Sequence, residues 1–362
     1  MKMRSLLPFT KCRRGGLSVL LAALSLTAVL AGCSGKTETP TAATAETAAA
    51  ETTGTASTVP TIIPEDVTIR VGSLKGPTSM GLVHLMDLSE QGTAGNNYEF
   101  TMFTAADELL AKIAVKDLDI ALVPANIASV LYNKTQAITV IDINTLGVLD
   151  IVASDDSIKS IADLKGKTLY LTGKGTTPEY VINYLLAANG LTTDDVSLEF
   201  KSEATEVAVI LKEQPDSIGL LPQPFVTAAC AQNENLKIVL DLTKEWQAVQ
   251  GAQGSQLVTG VTVVRKEFLE ENPNAIALFL QEHLASSDFA NANVDETAEL
   301  IARLGIVEKA AIAKKALPYC NITCITGEPM REALSGYLGV LAEQAPASIG
   351  GQLPDDGFYF LP

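Results

Sequence analysis

The sequence predicts an α/β protein of two doubly wound lobes joined by a β-strand hinge. Three observations predict it. From residue 66 onward, short apolar β-type runs alternate with amphipathic helical patterns, the rhythm of sheets covered by helices on both faces. The rhythm pauses near residue 154 and restarts at 167 without a Pro/Gly-rich linker, which suits lobes joined by strands better than domains on a loose chain. A length of 362 residues, at roughly 150 per domain, leaves room for two such units.

The lobes begin only after an N-terminal address. Residues 1–16 carry Lys2, Arg4, Lys11, Arg13 and Arg14 with no acid, and residues 17–31 (LSVLLAALSLTAVLA) carry no charge. A basic n-region before an apolar h-region reads as a secretory signal peptide. The apolar stretch is shorter than the roughly 20 residues of a permanent membrane span. It ends in Leu30-Ala31-Gly32-Cys33, which resembles the bacterial lipobox: small residues fit a signal peptidase and the next thiol accepts lipid. Residues 1–32 are therefore expected to be a lipoprotein signal peptide, and Cys33 the acylated first residue of the mature chain. The alternative is an ordinary cleaved signal with an incidental Cys. More than one acyl chain gives stable anchoring. Residues 33–65 continue as a Thr/Ala-rich stretch with few large apolar side chains, which cannot offset its ordering entropy and reads as a disordered tether.

The body then runs in order. VTIRVGSL (67–74), YEFTMFT (98–104) and DIALVPA (119–125) read as strands, each followed by a helical pattern (79–89, 106–115, 126–133). AITVIDINTLGVLDIVAS (137–154) reads as two strands meeting near Gly147. KTLYLTG (167–173), VSLEFK (196–201), SIGLLPQP (217–224) and KIVLDL (237–242) are strands, with helices at 178–190, 205–214 and 225–233. QLVTGVTVVR (256–265) is a further strand, followed by a mostly helical segment to residue 345.

Composition excludes several function classes. The chain carries 42 Asp plus Glu against 26 Lys plus Arg, a formal charge of -16. Removing residues 1–32 leaves 21 bases and a charge of -21. Such acidity argues against nucleic acid and against adsorption to anionic headgroups. The two histidines, His84 and His283, are far apart and show neither a triad order nor metal spacing, so packed or solvent-facing rings are expected, with no metal, no cofactor and no catalytic set. Cys230 lies on an apolar helical face and reads as a buried thiol. Cys320 and Cys324 form C-x₃-C in an exported chain: a local disulfide or two reduced thiols both fit, and two ligands alone do not close a metal site. Trp246 sits in the amphipathic TKEWQAVQ and reads as packing before it reads as a ligand platform.

A lipobox, a polar tether and two α/β units together resemble a solute-binding protein of an ABC importer, of the nitrate/sulfonate/taurine class. The residues that carry the resemblance are RVGSLKGPTSMGLVHLM (70–86), DIALVPANIASVLYNK (119–134), IADLKGKTLYLTGKGTTPEY (161–180) and GLLPQPFVTAA (219–229). CNITCITGEPMREALSGYL (320–338) and IGGQLPDDGFYF (349–360) look like a Gram-positive subgroup. The resemblance implies the type 2 periplasmic-binding architecture, with lobe 1 at 66–154 and 257–362, lobe 2 at 155–256, and crossovers near 150–156 and 253–260. It implies a monomer anchored by lipid to the outer face of the cytoplasmic membrane. Such a clamp closes on a small solute and docks on a permease with its ATPase, without making or breaking a bond. A receptor for a membrane sensor and a pyrimidine-precursor synthase-like enzyme are the alternatives, the latter lacking its His- and Cys-based reactive set.

In an open α/β sheet, ligands meet the loops at strand C-termini, where helix N-termini offer free N–H groups. Four loops qualify. The first offers Lys75 for an anion, Thr78 and Ser79 as hydroxyls or helix caps, and Met80 for an apolar part. The second offers Asn126, which can donate and accept. The third, Thr172 to Pro178, offers Thr176 and Thr177 beside two glycines, and the fourth offers Gln223 between two prolines, where the family often has an acid. Gln253, near the second crossover, is a further candidate. No Arg fork is present in these loops, so a neutral or weakly anionic, partly apolar solute is expected.

Overall fold

The computed structural model describes residues 65–154, 156–251 and 254–362. The signal peptide, Cys33, most of the tether and Gln253 lie outside the described residues. Among those described, eleven strands form two sheets. In chain order β1 (Thr68–Leu74), β2 (Asn97–Phe103), β3 (Ile120–Pro124) and β4 (Ile138–Leu146) enter the first sheet. Next, β5 (Leu149–Ala153), β6 (Thr168–Leu171), β7 (Ser197–Phe200), β8 (Ile218–Pro222) and β9 (Lys237–Asp241) build the second. The chain then returns with β10 (Val258–Arg265) and β11 (Ile322–Ile325). The spatial orders are β11-β4-β10-β3-β1-β2 and β7-β6-β8-β5-β9, the expected two-lobe α/β class.

The crossing strands explain why neither sheet is as parallel as its βαβ rhythm suggests. β1 is parallel to both β2 and β3, and β6 to both β7 and β8. β10 arrives from the other sheet and runs antiparallel between β3 and β4. β5, arriving the other way, runs antiparallel between β8 and β9. The chain changes sheet at Gly147 and Val148, so residues 149–153 pair in the second sheet although the sequence reading places 66–154 in the first lobe. Gly147 permits a close approach there: a Cβ would lie 2.3 Å from Thr243 Oγ1. The Asn321 amide donates to the Gly147 carbonyl and the Gln223 N–H to the Val148 carbonyl, holding the crossover from both sides.

Residue type sets the layers. β4 and β5 read almost entirely buried because helices cover both faces. In the first sheet a buried carboxylate is matched by charge: Asp119 accepts from Arg70 at 2.7 and 2.8 Å and from Arg265 at 2.6 Å, tying β1, β3 and β10 together. Burial by itself would raise Asp119, but hydrogen bonds from Arg70 and Arg265 hold it below the usual carboxylate range. The helix Leu242–Gln250 starts where Asp241 accepts from the Thr243 and Lys244 N–H groups. β11 falls in the stretch expected to be helical; its β-branched ITCI edges the sheet, Ile322 opposite Thr145 and Ile325 opposite Ile143. One apolar cluster runs through both lobes, from Phe103, Val140 and Ile143 to Leu169, Leu185 and Trp246, by way of Leu334, Tyr337 and Leu338 on the helix Gly327–Gln344.

Candidate ligand site between the two sheets

Polar side chains converge where the first lobe meets the loop after β6. Asn126 opens the helix Ala125–Thr135 and is fully buried. Its Nδ2 donates to the Gly175 carbonyl of the second lobe and to the Ser348 carbonyl, both at 3.2 Å. Its Oδ1 is buried and accepts nothing. Ser129 and Asn133, one and two turns on, donate to the Ile349 carbonyl at 2.8 Å, so the same helix face fixes the loop that carries Ser348. The Ser348 hydroxyl is itself buried without a partner.

Across the seam, the TGKGTT loop turns through Gly173 (φ 78°) and Gly175 (φ 75°). A Cβ at Gly173 would lie 2.6 Å from Thr176 Oγ1, which donates to the Gly173 carbonyl at 2.8 Å. Thr176 therefore closes its own turn, while Thr177 begins the helix Thr177–Ala188 with its hydroxyl buried and unpaired. Tyr337 approaches from the helix Gly327–Gln344, and its phenol is likewise buried and unpaired. Burial raises that phenol above its ordinary range, and the nearby Thr177 hydroxyl offsets part of the rise. The Tyr337 ring lies 5.6 Å from Trp246, which in turn lies 4.6 Å from Tyr184. Trp246 is buried and donates to the Ser255 carbonyl at 2.8 Å, so it is a packed side chain that forms an apolar wall behind the polar group.

Four buried polar atoms without a hydrogen bond of normal length thus lie along one seam: Asn126 Oδ1, Ser348 Oγ, and Thr177 Oγ1 and the Tyr337 phenol, which neighbour each other. Each such group costs about 1–3 kcal/mol when left without a partner, and native structures hold few of them. All four are neutral. The acidic side chain in the first turn of this helix is Glu179, whose carboxylate already accepts from the Gly175 N–H at 2.5 Å.

The other sequence-stated candidates lie elsewhere. Thr78 and Ser79 are buried and hydrogen-bond to the Leu74 carbonyl at 3.2 and 2.5 Å, Ser79 also meeting Ser73 Oγ at 2.7 Å; their hydroxyls are used in closing the turn after β1. Met80 is fully buried with Val83, Ala298, Ile301 and Ile306. Lys75 is exposed, its ammonium beside Gly305, just past the helix Val294–Arg303, where carbonyl ends attract a cation. Gln223 is buried and occupied: it donates to Asp150 at 3.3 Å and accepts from the Thr227 hydroxyl at 2.8 Å. Asp150 has no cation against it comparable to those of Asp119; burial, then the neighbouring Asp241, pushes its carboxyl up to about 7. The C-x₃-C thiols do not pair. Cys320 Sγ turns back to the Ala316 carbonyl at 3.2 Å, whereas Cys324, on β11, faces His283. His84 is packed, stacked on Phe289 at 3.7 Å. Tyr337, Ser348 and Asp150 were absent from the sequence reading. Only the position of Tyr337 on an amphipathic helix marked any of them, and that pattern signals core.

Comparison with known proteins agrees with this architecture. The NMT1/THI5-like family model matches residues 133–297. Binding proteins of Brucella abortus and Brucella suis are 25% identical over 209 residues, 56% of this chain and 62% of theirs, so the match spans under two thirds of those relatives. An ABC transporter protein from Parabacteroides distasonis has a TM-score of 0.68 at 23% identity, over 82% of this chain and 99% of that one. The periplasmic aliphatic sulphonate binding protein SsuA from Escherichia coli gives 0.65 at 16% identity, over 82% and 92%. The alkanesulfonate-binding protein SsuA from Xanthomonas axonopodis pv. citri, bound to MOPS, gives 0.61 at 16%, over 80% and 94%. With an NMT1/THI5-like segment running from its first lobe through its second, this chain has the two-lobe fold of the solute-binding proteins that serve ABC importers.

Proposed function

We propose that this protein is an exported, lipid-anchored solute-binding component of an ABC importer, and that it takes a small neutral solute between its lobes. The observation that carries the reading is the set of buried polar groups without a hydrogen bond of normal length on both sides of the seam: Asn126 Oδ1 and Ser348 Oγ from one side, Thr177 Oγ1 from the other, and the Tyr337 phenol beside it. A ligand with complementary donors and acceptors satisfies them and ties the lobes together, which is the work of a clamp. The lobes hinge at residues 147–148 and at the stretch leading into β10. Cys33 holds the protein to the membrane, and a permease with its ATPase receives the solute.

The choice of a neutral ligand follows from charge. No Arg or Lys is among the four groups, and Glu179 places a carboxylate at the helix terminus where an anion would bind. A sulfonate would meet that carboxylate, while a neutral heterocycle would meet hydroxyls, an amide oxygen and the apolar wall of Trp246. A thermal-shift series with uracil, cytosine and other neutral pyrimidines beside taurine and methanesulfonate tests this, because a ligand of the native state alone raises its melting temperature. A rise with a neutral compound that is lost in Asn126→Ala supports the reading. A rise with sulfonates only would overturn the neutral assignment. Labelling with a lipid precursor tests the anchor, with loss of label expected in Cys33→Ala.

A further inference from the structure

Apart from the seam residues, three potential metal ligands meet inside the first lobe. Asp142 lies on β4, Cys324 on β11 and His283 on the helix Pro273–Ala292. They are separated by 141 and 41 residues, so no spacing in the sequence announces them. His283 and Asp142 are fully buried; Cys324 is partly exposed and supplies a side of entry. His283 Nδ1 is 3.1 Å from Asp142 Oδ2 and 3.9 Å from Cys324 Sγ, and the three donor atoms lie within 4.8 Å of one another.

We propose that Asp142, His283 and Cys324 form a binding site for a single borderline-soft divalent cation such as Zn²⁺. A tetrahedral ion with bonds of about 2.0–2.3 Å to nitrogen, oxygen and sulfur places its ligands about 3.3–3.7 Å apart. The two separations from His283 Nδ1, 3.1 and 3.9 Å, lie to either side of that range, and the Asp142 and Cys324 donors, within 4.8 Å of each other, close on the ion by side-chain rotation. The surrounding groups are arranged as such a site requires. Thr262 Oγ1 donates to Asp142 Oδ1 at 2.7 Å, and Asn144 donates to Thr262 at 3.1 Å, which fixes the carboxylate and leaves Oδ2 for the ion. His283 Nε2 is buried without a partner. Ser287 Oγ lies against the same spot beside Gly81, where a rotation lets it accept from Nε2 once Nδ1 holds a metal. A thiolate, an imidazole and a carboxylate together select Zn²⁺ or Co²⁺ over Mg²⁺ or Ca²⁺. Binding pins the edge strand β11 and the helix Pro273–Ala292 to the neighbouring strand β4 of the first sheet.

Co²⁺ titration of the purified chain tests the site. The expected result is one Co²⁺ per chain, with intense tetrahedral d–d bands and a thiolate-to-metal charge-transfer band. Both are lost in Cys324→Ser and retained in Cys230→Ser, and Zn²⁺ displaces the signal at one equivalent. A band that survives Cys324→Ser, or no bound Co²⁺ in folded wild-type protein, would overturn the proposal. X-ray absorption on the Zn²⁺-loaded wild type needs no variant. One sulfur beside nitrogen and oxygen neighbours supports the site, and a shell of oxygen and nitrogen alone contradicts it.

Discussion

Asp119, at the start of β3 in the first sheet, and Asp150, on β5 in the second, are both buried aspartates, and their surroundings are opposite. Asp119 is held between two guanidinium groups and ionises more readily than a free carboxylate. Asp150 meets one amide donor and, across the strand pair, a second acid, Asp241; it holds its proton to about 7. The first arrangement fastens strands together. The second keeps an unfavourable charge beside the point where the chain changes sheets, and the unpaired hydroxyls of Thr177 and Tyr337 lie along the same inter-lobe boundary. The paired carboxylate serves the fold, and the unpaired one stands where the chain crosses between the lobes.

The largest effect should come from breaking the satisfied member. Asp119→Asn removes the buried counter-charge of Arg70 and leaves Arg265 only the exposed Glu267, and should cost about 3 kcal/mol in urea unfolding. Because the folded carboxyl is depressed, its stabilisation is present above the unfolded value near 4 and is lost as pH falls through the folded value. Asp150 works in the opposite sense. Its folded value is raised, so the protonated form stabilises the fold at low pH, and that benefit disappears as pH rises from about 4 to about 7. Asp150→Asn should therefore flatten the stability profile across that window and raise stability at pH 8 by up to about 4 kcal/mol. An unchanged slope between pH 4 and 7 in the variant would place the titration elsewhere.

Smaller effects separate fold from site. Tyr337→Phe removes a buried phenol whose polar neighbour, the Thr177 hydroxyl, lies beyond normal hydrogen-bond distance, so the melting temperature should change little, while solute affinity falls roughly tenfold, the equivalent of about 1.4 kcal/mol. A stability loss without an affinity loss would make Tyr337 a core residue only. Thr176→Ala, which removes a hydrogen bond closing the loop, should cost about 1 kcal/mol and leave solute selectivity unchanged.

The fold was legible because it is written in local patterns. The β-type runs at 138–146 and 149–153, the alternation with helices and the turn at Gly147 all survive in the structure. β11 was missed because a four-residue edge strand has too little pattern to stand out among helices. Legibility was lower at the site. Asn126 and Thr177 follow from the rule that strand C-termini face ligands, and they meet at the seam. Thr78, Ser79 and Gln223 satisfy the same rule but spend their polar atoms on their own turns and neighbours, which only side-chain geometry reveals. Ser348 and Tyr337 come from the distant C-terminal segment, which no motif connects to residue 126 or 177.

The most direct test of the seam as the binding site is a crystal structure of the chain with the solute that gives the largest thermal shift. The expected result is a neutral solute between the lobes, within hydrogen-bond reach of Asn126 Oδ1, Thr177 Oγ1 and the Tyr337 phenol. A solute bound elsewhere, or held chiefly by a charged side chain, would contradict it.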